Sequence, residues 1–192
     1  MALIRKLAVT AALAVFIATA IGSSVSAQTP SVGPKLGVGV FGGLTLPIVQ
    51  DDQKSGTVFG FYGRLKLIPI LVFEPNISFA KYGDPDPISG VNLGIVGSKV
   101  TSFGVDAVLG AGPGAPGMTP FFFGGIGSYS IKNDDTDFDE SAIGFSGGLG
   151  LGFNLGMLDL NVRGRAIVIP LEDGGSKKSA TATVGLSYVL GK

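Results

Sequence analysis

The stretch that decides the fold is SAIGFSGGLGLGFNL, residues 141–155. Ile143, Phe145, Leu149, Leu151, Phe153 and Leu155 fall on one parity. Gly144, Ser146, Gly148, Gly150, Gly152 and Asn154 fall on the other. A period of two is the signature of a β-strand, whose successive side chains point to opposite faces. A helix is a poor alternative, because each interior Gly costs about 1 kcal/mol relative to Ala. One face of this strand is therefore large and apolar, and the other is small and polar.

The same alternation extends in both directions. Leu36, Val38, Val40 and Leu44 share a face within Lys35–Thr45, and Phe59, Phe61, Leu65 and Leu67 within Thr57–Leu67. In Leu71–Tyr82 the apolar set is Leu71, Phe73, Ile77 and Phe79, against Glu74, Asn76 and Ser78. Pro75 interrupts that run, and because Pro lacks a ladder donor we expect a bulge there. Lys99–Gly110 sets Phe103, Val105, Ala107 and Leu109 against Ser102, Gly104 and Asp106. Thr119–Ile131 reads as a strand, but the continuous Phe121-Phe122-Phe123 leaves its phase open. Leu158–Ile169 opposes Leu158, Leu160, Val162, Ala166 and Val168 to Asp159, Asn161, Arg163 and Arg165. Ala180–Leu190 alternates to the end.

These segments make an even set of eight strands. Their length matches the ~9–11 residues a tilted strand needs to cross a bilayer. Links near Ile68–Ile70, Gly112–Gly117 and Gly156–Met157 are short. Those at Leu46–Gly56, Gly83–Ser98, Lys132–Glu140 and Pro170–Ser179 are longer and carry most of the acidic residues. Short turns at one end and long loops at the other are the plan of an outer-membrane barrel.

Composition agrees. Mean hydropathy is high at +0.48, yet no apolar run after residue 27 is long enough for a membrane helix. Gly reaches 32 of 192 residues, well above the usual ~7%. Lys+Arg and Asp+Glu balance at 14 each, with no basic stripe of the kind nucleic acid requires. The absence of Cys and His removes disulfides, thiolate metal sites and the commonest acid–base side chain.

At the N-terminus, Arg5 and Lys6 precede an apolar run from Leu7 to Ile21, and Ser24-Val25-Ser26-Ala27 follows. This is the layout of a secretory signal peptide cleaved between Ala27 and Gln28. An uncleaved anchor is the alternative, disfavoured by the turn-rich Thr29–Pro34 that comes next. The expected organisation is a signal peptide over 1–27, a linker over 28–34 and one barrel domain over 35–192.

Alternation alone leaves open which face points inward. A soluble, lipocalin-like barrel puts its apolar face inside; a membrane barrel inverts this. The small face of residues 141–155 argues for inversion. The interior of an eight-stranded barrel is only wide enough for side chains, so bulky lumenal groups need small neighbours. The expected lumenal set is Arg64, Lys66, Glu74, Asp106, Asp159, Arg163 and Arg165. Charges in so narrow a space should pair, because unpaired buried charge is costly. We read them as structural rather than as an ion pathway.

These features resemble the OmpA/OmpX-like eight-stranded outer-membrane β-barrels, a porin-type family. The carriers are Phe73-Glu74-Pro75-Asn76-Ile77-Ser78, the segment Thr119-Pro120-Phe121 through Gly124-Gly125-Ile126-Gly127, the Gly-rich sixth strand, and Arg163 with Arg165 on the seventh. The resemblance implies outer-membrane lipids as surroundings, no cofactor, and assembly by the barrel-insertion machinery. The expectation is a non-enzymatic, monomeric envelope protein with a filled lumen, whose loops make surface contacts with an unidentified ligand. The alternative is a narrow channel for ions or small solutes. Lipid-modifying acyl chemistry usually wants a His base beside a Ser, which this chain lacks. The acidic run Asp134–Glu140 could hold Ca²⁺, but it lacks the Gly and spacing of an EF-hand loop and reads as a solvated loop. Tyr62, Tyr82, Tyr129 and Tyr188 are candidates for interfacial girdles; Tyr82 and Tyr188 lie near strand ends, whereas Tyr62 looks lumenal.

Overall fold

A computed structural model describes residues 35–48, 54–68, 70–84, 97–110, 117–133, 138–170 and 175–190. The signal peptide, its Ala27/Gln28 junction, the linker and the centres of the loops lie outside the described residues.

Eight antiparallel strands close on themselves in chain order. They are β1 (Lys35–Pro47), β2 (Lys54–Ile68), β3 (Leu71–Gly83), β4 (Lys99–Gly110), β5 (Met118–Asn133), β6 (Phe138–Leu155), β7 (Leu158–Pro170) and β8 (Ser176–Leu190). Closure comes from β1 pairing with β8, from Leu36↔Leu190 to Pro47↔Ser179. No edge strand is left with unpaired backbone groups, which a chain in hydrocarbon requires.

The barrel is inverted. The apolar parities point outward, with Phe103 and Phe122 each 65% exposed. The phase of β5 is settled by Phe121 at 4% and Phe123 at 5%, both turned into the lumen on either side of Phe122. Small residues on the inner face make room for such rings. A Cβ at Gly150 would stand 2.3 Å from the Phe121 ring, and one at Gly148 would stand 2.6 Å from the Phe123 ring.

Three expectations change. Pro75 is not at a bulge. It sits opposite Val105 in unbroken β3–β4 register, and β2–β3 keeps one register from Tyr62↔Asn76 to Leu65↔Phe73. The irregularities of that ladder lie instead at Lys54/Thr57 and Lys66/Ile68. The ladder with β2 skips the Gly63–Pro75 position and resumes in the same register, so the proline costs a ladder bond without an inserted residue. Second, strand pairing reaches into both ends of the acidic segment Lys132–Glu140, whose residues 134–137 lie outside the described residues. β5 and β6 stay paired through Ile131↔Glu140 and Lys132↔Asp139 to Asn133↔Phe138. Third, Tyr129 is buried inside the barrel beside Ile131 and Ile169. Tyr82 follows the inward parity and lines the lumen mouth with Ile131 and Ile169. Tyr188 does face outward, and its hydroxyl approaches Met157 Sδ at 4.0 Å.

Candidate functional site

The lumen is filled in layers. At the short-turn end Val72, Val108, Phe121 and Phe123 form an apolar cluster. Towards the long-loop end Tyr129, Ile131 and Ile169 form a second, with Val100, Ala142 and Ile167 packed against it. Polar and charged side chains occupy the space between.

Glu74, on β3, is the hub. Its side chain is 1% exposed and lies between two guanidinium groups. Arg163 Nη1 donates to Glu74 Oε2 at 2.5 Å and Nη2 to Oε1 at 3.0 Å, a bidentate fork. Arg64 Nε donates to the same Oε1 at 2.6 Å. In an eight-membered ring of strands β3 and β7 stand opposite each other, so the Glu74–Arg163 pair is a crossbar through the lumen.

Other groups saturate the guanidiniums. Arg163 Nε donates to Asn161 Oδ1 at 2.9 Å, and Asn161 Nδ2 donates to the Tyr62 hydroxyl at 2.8 Å. Arg64 reaches Ser187 Oγ at 3.1 Å and Asp159 at 3.8 Å. Asp159 also accepts from Asn154 Nδ2 at 2.6 Å. The Arg163 guanidinium carbon lies 5.1 Å from the Tyr62 ring centre and 5.2 Å from that of Phe121, within cation–π range.

A second cluster adjoins the first. Arg165 Nη2 donates to Asp106 Oδ2 at 2.5 Å, and Ser146 Oγ lies 3.3 Å from both partners. Asn76 links the two clusters, its Nδ2 donating to Asp106 Oδ2 and to the Glu74 carbonyl, each at 3.1 Å. Asp106 also depends on a glycine: a Cβ at Gly125 would lie 2.0 Å from Asp106 Oδ1.

Of the seven expected lumenal charges, the structure brings Arg64, Glu74, Asp159 and Arg163 into one cluster and Asp106 with Arg165 into the other. Lys66 is buried on the same inner face. Sequence reasoning missed Tyr62 as a hydrogen-bond acceptor and Phe121 and Phe123 as faces for the guanidiniums. It placed Asn76 and Asn161 on the polar face without their partners, since parity reports a face and not what lies across the lumen. Among the described residues no group of His, Cys, Asp and Glu is arranged to hold a metal ion.

The family model described as outer membrane protein beta-barrel domain matches residues 10–189. The fold is similar to the crystal structure of Neisserial surface protein A (TM-score 0.59, 16% identity), covering 84% of this chain and 99% of that one. It is also similar to the N-terminal β-barrel domain of Pseudomonas aeruginosa OprF (TM-score 0.55, 16% identity), covering 81% and 97%. No curated protein matches the sequence. With a family match over most of the chain, an inverted eight-stranded barrel and a closed sheet, this chain belongs to the outer membrane protein β-barrel domain family and resides in the bacterial outer membrane.

Proposed function

We propose that this protein is a non-enzymatic structural barrel of the cell envelope, with a lumen sealed by its own side chains. The observation that carries this reading is the Glu74 crossbar, with Arg163 and Arg64 converging on one carboxylate between two apolar layers. A permeant ion would have to displace charge-assisted hydrogen bonds in a space where unpaired charge is costly. The seven lumenal charges thus act as scaffolding that fixes which strands face each other. On the same reading the mature barrel begins after Ala27, works as a monomer, and is inserted by the cell's barrel-assembly machinery. Contacts with other molecules fall to the loops at the long-loop end.

Single-channel recording on the purified protein in planar bilayers tests this. A flat baseline is expected under moderate voltage. Sustained, reproducible conductance steps would overturn the sealed-lumen reading in favour of a narrow channel.

A further inference from the structure

Pro75 leaves a gap in the wall of the barrel. On the β4 side the pairing runs through Pro75↔Val105 without interruption. On the β2 side it passes from Tyr62↔Asn76 to Leu65↔Phe73, skipping Gly63/Pro75 and Arg64/Glu74. The missing N–H therefore points at β2. In an antiparallel ladder a hydrogen-bonded pair exchanges two N–H···O bonds, and a proline in such a pair keeps its carbonyl but has no donor. The bond from residue 75 to the Gly63 carbonyl borders both skipped positions, so its loss accounts for the whole gap. The Gly63 carbonyl is left without the donor that its place in the sheet would supply.

That carbonyl lies beside a groove on the lipid side. Gly63 keeps the outward parity of Phe61 on β2, and Pro75 that of Ile77 on β3. A groove of about 250 Å³ opens there, lined by Phe61, Gly63, Pro75, Ile77 and Phe103 among others. It sits within the apolar belt. Its neighbours in register, Val38 across β1–β2 and Val105 across β3–β4, are apolar and exposed to lipid. Bilayer hydrocarbon holds no water to satisfy the carbonyl, and an unmade hydrogen bond is costly there.

These properties select an occupant. It needs an apolar body, and it needs one hydrogen-bond donor. A lipid acyl chain fills space but donates nothing. Size narrows the choice further: a cavity of ~150 Å³ accepts benzene, so this groove suits one substituted ring. Phe61 and Phe103 offer aromatic surfaces against which a ring packs favourably. We propose that the groove binds a single-ring phenol dissolved in the membrane, its hydroxyl donating to the Gly63 carbonyl and its ring lying against Phe61, Ile77 and Phe103.

The test uses the full mature protein in phosphatidylcholine nanodiscs, isotopically labelled in its glycine carbonyl carbons and arginine nitrogens. Gly–Arg occurs only at Gly63–Arg64 and Gly164–Arg165. A spectrum correlating the two labels thus shows one carbonyl at the groove and one, on β7, away from it. The probe is p-cresol, and toluene, the same ring without the hydroxyl, is its control. At equal concentration in the bilayer, p-cresol should move the Gly63 signal saturably and leave that of Gly164 in place. Toluene should bind about tenfold more weakly, the weight of one hydrogen bond to an acceptor otherwise left unmade. Pro75→Ala returns an N–H to the ladder while widening the groove. It should bind p-cresol about tenfold more weakly than wild type, and no better than toluene. Phe103→Ala removes a wall and should weaken both probes alike. Mobility on unheated gels checks that each variant is folded, and the comparison of the two probes on wild type stands without them. Equal affinity for p-cresol and toluene would overturn the proposal, as would undiminished p-cresol binding by Pro75→Ala. Parallel movement of the Gly63 and Gly164 signals would show that the phenol merely dissolves in the bilayer. A Gly63 signal that never moves would show that lipid chains keep the groove; either result overturns the site.

Discussion

Glu74 carries more of the interior than any other side chain. Two guanidiniums share its carboxylate, so neutralising it leaves both arginines short of a counter-charge in the lumen. Glu74→Gln should destabilise the barrel by about 3–5 kcal/mol, the usual result of removing one partner from a buried ion pair. The check is the urea midpoint followed by the shift between folded and unfolded gel bands. Adding Arg163→Met should recover part of the loss, because a cation without a partner is then removed too. Glycines divide in the same way by face. At Gly150 an added Cβ would meet the Phe121 ring at 2.3 Å and the Val162 carbonyl at 2.7 Å. At the outward Gly147 the nearest atom would be 3.7 Å away. Gly150→Val should therefore prevent recovery of the folded band, whereas Gly147→Ala should leave it unchanged.

At the scale of the element, the β6–β7 hairpin shows how local chemistry sets register. Gly156 has a φ of 84°, a conformation that costs an L-residue about 1–2 kcal/mol. Its N–H donates to Asn154 Oδ1 at 3.2 Å, and Asn154 Nδ2 ties the turn to Asp159. Gly156→Val should lower the unfolding midpoint by an amount matching that backbone cost, while Met157→Ala in the same turn should have a smaller effect. The strands were legible because period two survives even where composition is unusual. Their ends were less so. The acidic segment after Lys132 looks like a loop from its first residue by composition, yet β5 runs to Asn133 and β6 begins at Phe138. A hairpin outside the membrane can keep pairing while its side chains are solvated, so polarity there does not mark the end of a strand. Pro75 misled for a related reason. The bulge rule considers the proline's own strand, but the pairs on either side of it, Tyr62↔Asn76 and Leu65↔Phe73, hold the register across the missing donor.

For the molecule as a whole, closure makes unfolding cooperative: β1 can leave β8 only by exposing a full ladder in hydrocarbon. The mature protein should fractionate with the outer membrane and migrate faster on unheated SDS gels than after boiling. Recovery in the soluble periplasmic fraction would contradict the inverted barrel. The sequence by itself determined the strands, their even number, the inversion of the apolar face and, outside β5, the charged residues turned to the lumen. All of these follow from parity and side-chain size, which are local properties of the chain. Only the tertiary structure decided who meets whom across the lumen: Arg163 with Glu74 from 89 residues away, Arg165 with Asp106 rather than Glu74, Phe121 and Phe123 beneath the guanidiniums. The reason is physical. Parity says which face a side chain takes, but its height and its opposite number depend on register summed around a closed sheet, and no single strand encodes that sum.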